Sequence, residues 1–288
     1  GKAISLGKKE VDLRKKIQHW VASSISCGIL CGVYRTGPDM GTGELQDIIV
    51  DEAYKVQSDL GFERPLLATT SRATAIGSFN HQEWSITSVG LVETMLTDFE
   101  DEGLMRRYHI DPKNITLAIQ GFGDVGGGII KYLNELSQDY PLILKYIRII
   151  AISDSKGGIY NRKGLDFKEL FRLIELRNER GKKGLRFSLQ EEYQGEGERI
   201  GSEEVLYKGA LVISPCAGPN VFNSVKDIKR LRKEGTRAMY EGANNSIKPN
   251  TLITKEEVLE HRPKMVGLEE LNERLKRFES KEIYLEDV

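Results

Sequence analysis

The chain has 288 residues, with 39% hydrophobic and 30% charged side chains, which suits a water-facing globular protein of one large or two ordinary domains. With 42 basic and 43 acidic residues the formal net charge is -1, so no global field draws in nucleic acid or an anionic membrane. No apolar run is long enough to cross a bilayer and no secretory signal is visible, so the expected location is the cytoplasm.

Residues 10–31 carry Leu13, Ile17, Trp20, Val21, Ser24 and Ile25 at spacings of three and four, which predicts a helix. Cys27 and Cys31 can share a face of it. An odd total of three cysteines makes no disulfide framework, and no second pair or His cluster completes a metal site, so buried small hydrophobes are the plainer reading. Gly37-Pro38-Asp39-Met40-Gly41 breaks regular structure. A second helix follows over 44–60, with Leu45, Ile48, Ile49, Ala53 and Val56 on one side. Residues 65–80 read as loop, and helical period returns over 87–107.

The pattern then changes. Ile115 to Gln120 is a short β-prone run ending in glycines, and a helix is expected over 126–136. A second apolar strand spans 146–152 and ends at Ser153-Asp154. A helix over 166–179 leads into a charged, glycine-containing stretch, 180–202. A third strand is expected over 210–213, a helix over 221–234 and a fourth strand over 236–240. Two highly charged helices are expected over 254–260 and 268–280. Strands alternating with helices imply parallel pairing through right-handed crossovers. The sequence therefore predicts an α/β protein. Residues 85–288 form a doubly wound, Rossmann-like dinucleotide-binding domain with C-terminal helices, and 1–84 a partial, mainly helical substrate-binding domain.

Gly121-Phe122-Gly123-Asp124-Val125-Gly126 sits between a predicted strand and a predicted helix, where a phosphate-binding turn belongs. Gly121 permits the tight turn, Gly123 lets backbone approach a pyrophosphate, and Gly126 lets helix and strand pack closely. The helix N-terminus offers free N–H groups and partial positive charge. Asp154 ends the next strand and can accept hydrogen bonds from the ribose hydroxyls. It lies further along than the usual spacing of about 20 residues, so a longer helix or loop must intervene, around 137–144. Cofactor choice stays open. Asp154 disfavours a 2′-phosphate, whereas Ser155 and Lys156 can bind one.

Several segments in order resemble the glutamate/leucine/phenylalanine/valine dehydrogenase family. They are Gly37 to Thr42, Gly77-Ser78 through Ile86-Thr87-Ser88, Ala118 to Gly126, Ile152 to Asn161, Pro215-Cys216-Ala217 with Asn220, and Glu241-Gly242-Ala243-Asn244. The Asp154 to Asn161 run is most similar to glutamate dehydrogenases. The resemblance implies reversible NAD- or NADP-dependent oxidative deamination of an amino acid, L-glutamate first, to a 2-oxo acid and ammonia. It also implies a homo-oligomer, a hexamer in the family.

Asp39 matches the catalytic aspartate of the resemblance, where a carboxylate in a closed cleft can shuttle protons of the substrate amine. An Asp serving a glycine-rich turn is its rival. Lys2 matches the catalytic lysine, whose pKa desolvation would lower, with an ordinary exposed lysine as the alternative. Thr87, Cys216, Ala217, Asn220 and Asn244 correspond to residues around the nicotinamide and its ribose. Turn or cap chemistry is the other reading for the threonine and asparagines, and for Cys216 it is packing as a small residue.

The sequence departs from the pattern in places. Ser88 replaces a usual glycine, Arg262 to Gly267 stands where an Asn-x-Gly-Gly segment belongs, and most of the substrate-binding part expected ahead of Lys2 is not in the chain. These departures touch turnover more than cofactor binding, and leave as the alternative a catalytically impaired, regulatory homologue that assembles with a complete dehydrogenase.

Overall fold

The computed structural model describes residues 13–27, 46–61, 81, 84–183, 185–243 and 246–248. The chain divides into two compact units, Gly1–Ile86 and Thr87–Val288. In the first, α1 (Leu13–Ser26) packs on α2 (Gln46–Asp59). Val21 and Ile25, four apart on α1, meet Ile49 and Ala53, four apart on α2, with Trp20 and Val56 at the margin. Residues four apart lie on one helix face, so the spacing read in the sequence becomes a shared apolar seam.

The second unit opens with α3 (Ile86–Glu100) and α4 (Glu102–Arg107). The sequence predicts one helix here, but Asp101 breaks it. Its extended backbone turns its carboxylate to accept from Gly103 N and Leu104 N, so it caps α4 as a separate helix. Strand β1 (Ile115–Gln120) follows, then α5 (Asp124–Asp139), the short α6 (Ile143–Tyr146) and β2 (Ile147–Asp154). Thus α5 and α6 fill the long interval before Asp154.

Beyond β2 the structure departs from the expected alternation. β3 (Gly157–Tyr160) turns straight back as a hairpin partner of β2. After α7 (Phe167–Lys182), the stretch read only as charged and glycine-containing holds α8 (Leu189–Glu192) and β4 (Glu198–Ile200). A 3-10 turn (Glu204–Tyr207) leads to β5 (Val212–Pro215), α9 (Val225–Lys233) and a two-residue β6 (Ala238–Met239). The sheet order is β4-β3-β2-β1-β5-β6. β2, β1, β5 and β6 run parallel, while β3 is antiparallel to both neighbours, so the expectation of parallel pairing throughout is corrected to a mixed sheet. The third strand also lies two residues later than read, because Ala210 and Leu211 precede the first rung, Leu117 against Val212.

β1 is the centre of the sheet and almost wholly buried, which is why it reads as a continuous apolar run. On one face Val92, Met95 and Phe99 of α3, Ile129, Ile130 and Leu133 of α5, and Leu170, Leu173 and Ile174 of α7 share a core with Leu117 and Ile119. On the other, Val205 and Leu206 of the 3-10 turn and Ile228 and Leu231 of α9 close over Ala118, Ala151 and Ile213. Each fully buried aliphatic side chain contributes roughly 1.5–3 kcal/mol, so the sheet is held from both sides.

Candidate functional site

The crossover helix after β1 lies on the α5 face, and the helix after β5 lies on the α9 face. The connections that leave the carboxyl ends of these adjacent strands therefore turn to opposite faces, and a crevice is expected where the winding reverses. The glycine turn begins there. Gly121 has φ +103, a conformation open to glycine, and its N–H donates to Ser153 O at 2.9 Å. A Cβ at this position would stand 2.9 Å from Ala217 N, so the turn is pressed between the ends of β2 and β5.

A Cβ on Gly126 would lie 1.8 Å from Gly121 O. Only glycine lets α5 start this close to β1. Gly123, by contrast, is exposed, and a Cβ there would meet nothing within 4 Å. It is the N-cap of α5 and no side chain caps that end. The N–H groups of the first turn are thus left for an anion, and the helix dipole favours one.

Two residues hold the turn: Ser88, noted in the sequence only as a departure from the family pattern, and Arg177, which the sequence did not single out. Ser88 is buried on α3, and its hydroxyl donates to Val125 O at 2.9 Å, which gives a serine in place of the usual glycine a structural use. Arg177 on α7 donates to Phe122 O at 2.6 Å, while the Phe122 ring stacks on Phe187 with centroids 5.8 Å apart. Neither partnership has a local spacing that betrays it.

Asp154 is placed at the carboxyl end of β2, and its carboxylate is already engaged. Oδ1 accepts from Lys156 N and Gly157 N at 2.8 and 3.1 Å, and Oδ2 accepts from Leu189 N at 2.7 Å. A carboxylate has about four acceptor sites, so one direction is left for a hydroxyl. Ser155 is exposed beside it. The Lys156 ammonium donates to Phe187 O at 2.7 Å.

On the β5 side a cavity of about 420 Å³ is lined by Gln120, Tyr207, Ala217, Asn220, Asp227 and Arg230, among others. Asn220 has φ +58, which asparagine tolerates better than most residues, and it is exposed. The Cys216 thiol is pushed up to about 11, chiefly by burial, with Ser214 Oγ 3.3 Å away opposing the shift. It is therefore a protonated packing group near neutral pH, and Gly242 makes room for its sulfur. Gln120 Oε1 and Ser153 Oγ, paired across β1 and β2, are buried without a hydrogen-bond partner. Such orphans cost about 1–3 kcal/mol each, a cost that a ligand carrying donors can offset. Thr87 lies exposed in the first turn of α3. Lys2, Asp39 and Asn244 lie outside the described residues.

A glycine turn opening a helix at the switch point of a doubly wound sheet defines a Rossmann-like α/β domain. The chain belongs to the glutamate/leucine/phenylalanine/valine dehydrogenase family, whose model matches residues 77–265. It is 33% identical over 141 residues to a glutamate dehydrogenase of Thermotoga maritima, covering 49% of this chain and 28% of that protein. It is 29% identical over 139 residues to the NADP-specific glutamate dehydrogenase of Synechocystis sp., covering 48% of this chain and 28% of that one. The hetero-hexameric glutamate dehydrogenase of Thermus thermophilus, in its Leu-bound form, shares the fold with a TM-score of 0.53 at 20% identity, over 83% of this chain and 50% of that chain. The matches thus span half or less of those proteins' length.

Proposed function

We propose that the chain is an NAD(P)-dependent amino-acid dehydrogenase of the glutamate type, which interconverts L-glutamate with 2-oxoglutarate and ammonia. The observation that carries this is the glycine turn at the switch point, with Gly123 open to an anion and Gly126 packed too tightly for any side chain. Family membership over 77–265 supports the reaction class.

Gly121 to Gly126 and the first N–H groups of α5 would hold the pyrophosphate. The free acceptor direction of Asp154 would take a ribose hydroxyl, and Ala217 and Asn220 would border the nicotinamide half. The orphaned Gln120 Oε1 fits a donor such as an amide or amine of that ligand. The cofactor, when bound, supplies the acceptor for the two-electron oxidation of the substrate. A fixed carboxylate at the end of β2, with the Lys156 ammonium drawn onto Phe187 O, favours NAD over NADP.

Asp39, supported by its Pro-Asp-Met-Gly setting, takes and returns a proton of the substrate amine. Lys2 helps activate water against the iminium carbon. Thr87 and Asn244 border the nicotinamide by the same resemblance. The relatives' assembly suggests an oligomer for this chain as well.

Titration of the chain with NADH and NADPH, followed by fluorescence, should saturate, with NADH the tighter ligand. Absence of binding at about millimolar concentration, the weak end of specific affinity, overturns the reading. Cofactor reduction across a panel of amino acids should then show L-glutamate as the preferred substrate. Asp39→Asn should abolish turnover while NADH affinity stays unchanged, and retained turnover removes Asp39 from the mechanism. Intact NADH binding with no turnover of any amino acid would instead favour a regulatory homologue.

A further inference from the structure

Arg177 reaches from α7 to the glycine turn. Its Nη1 donates to Phe122 O at 2.6 Å, and its Nη2 lies 3.6 Å from Asp124 Oδ1. Nε and Nη2 also donate to Asn178 Oδ1, at 3.2 and 2.8 Å, which fixes the plane of the guanidinium. The side chain is 20% exposed, and its guanidinium carbon stands 5.8 Å from the centre of the Phe122 ring. Gly127 lies against the same group. A Cβ at Gly127 would lie 3.1 Å from Arg177 Nη1. Glycine inside a helix is destabilising relative to alanine, and the passage of the guanidinium gives this one its reason.

We propose that Arg177 is a positioning residue for pyrophosphate binding: it orients the Phe122–Gly123 peptide so that the Gly123 N–H faces the anion, and it sets a positive charge behind the turn. The proposal rests on the cofactor reading above. In a trans peptide the carbonyl and the N–H point in opposite directions, and no cis peptide occurs among the described residues. A Phe122 carbonyl held toward Arg177 therefore sends the Gly123 N–H the other way, to the open N-terminal end of α5. A hydrogen bond from a charged donor is stronger than a neutral one. The charge also bears on the helix end, offset in part by the exposed Asp124 carboxylate 3.6 Å away.

Calorimetric titration of the full chain with NADH, ADP and adenosine separates this role from a general effect on folding, because adenosine lacks the pyrophosphate. Arg177→Met should weaken NADH and ADP about tenfold while adenosine stays within about twofold of wild type. Arg177→Lys, which keeps the charge, should recover part of the loss. A methyl at Gly127 asks the guanidinium to give by a few tenths of an ångström, so Gly127→Ala should give a smaller loss of the same pyrophosphate-selective kind, and it decides the matter should Arg177→Met fail to fold. Wild-type affinity for ADP in folded Arg177→Met, or in Gly127→Ala where Arg177→Met does not fold, overturns the proposal and leaves the cofactor reading standing. Equal loss for all three ligands does the same. A wild-type chain that binds neither NADH nor ADP overturns both.

Discussion

Substituting Gly126 by alanine drives a methyl carbon onto the Gly121 carbonyl oxygen, 1.8 Å away, and neither backbone can yield without moving β1 or α5. The expected outcome of Gly126→Ala is a destabilisation of about 3 kcal/mol, the upper end of overpacking costs, measured by urea unfolding. Loss of NADH binding should accompany it. Gly123→Ala is the internal control, since a Cβ there meets nothing within the protein. It should leave unfolding nearly unchanged and act only on ligand affinity. At this scale the three motif glycines were legible, because a glycine at a strand-to-helix junction has few other reasons to be there. Ser88 and Arg177 were not. Each acts on a backbone carbonyl far along the chain, and nothing in local spacing encodes such a pairing. The carboxylate of Asp154 was placed correctly at the strand end, but its three backbone donors were invisible, because they come from a hairpin turn and from Leu189, which the sequence had left without structure.

Helix α3 is tied to α5 by Tyr132, whose hydroxyl donates to the Glu93 carboxylate. That hydrogen bond, more than burial, pushes the phenol from its ordinary 10.0 up to about 12. Tyr240 is shifted in the same direction, by burial first and then by its bond to Asp98. A phenol with a raised folded-state pKa stabilises the native state fully below 10.0, and that contribution fades as pH rises from there toward the folded value. Urea unfolding between pH 9 and about 12 should therefore show stability falling above pH 10, and Tyr132→Phe should flatten part of that fall. An unchanged slope in the variant would detach Tyr132 from the alkaline transition.

Elements differ in how clearly they announce themselves. β1 is buried on both faces and reads as an apolar run, while α7 has both its periodicity and an Asp166 cap. β3 hides because Gly157 and Gly158 look like a turn. Their actual service is close approach, since Cβ atoms there would meet Gln190 and Val205 at 2.3 and 2.5 Å. β4 hides because it is three residues long and two of them are charged.

Across the second unit, the order of helices and strands was enough to indicate a doubly wound α/β domain, because strands alternating with helices call for crossovers that cover both faces of a sheet. Direction was harder to read. Alternation of elements suggested parallel pairing throughout, yet β2 turns back on itself within a few residues, and the sheet grows outward from that hairpin as an antiparallel flank. Composition does not separate the two cases, since a buried strand looks the same whichever way its neighbour runs.

The same sheet ends in very short strands on both sides: Glu198, Arg199 and Ile200 on one margin, Ala238 and Met239 on the other. Unpaired backbone along a margin is what invites a foreign strand to dock and propagate. Here each margin has two or three rungs to give, and one of them carries both signs of charge. Runaway association by strand addition, the route to fibres, is thereby discouraged in a domain whose central strands are among the most apolar segments of the chain.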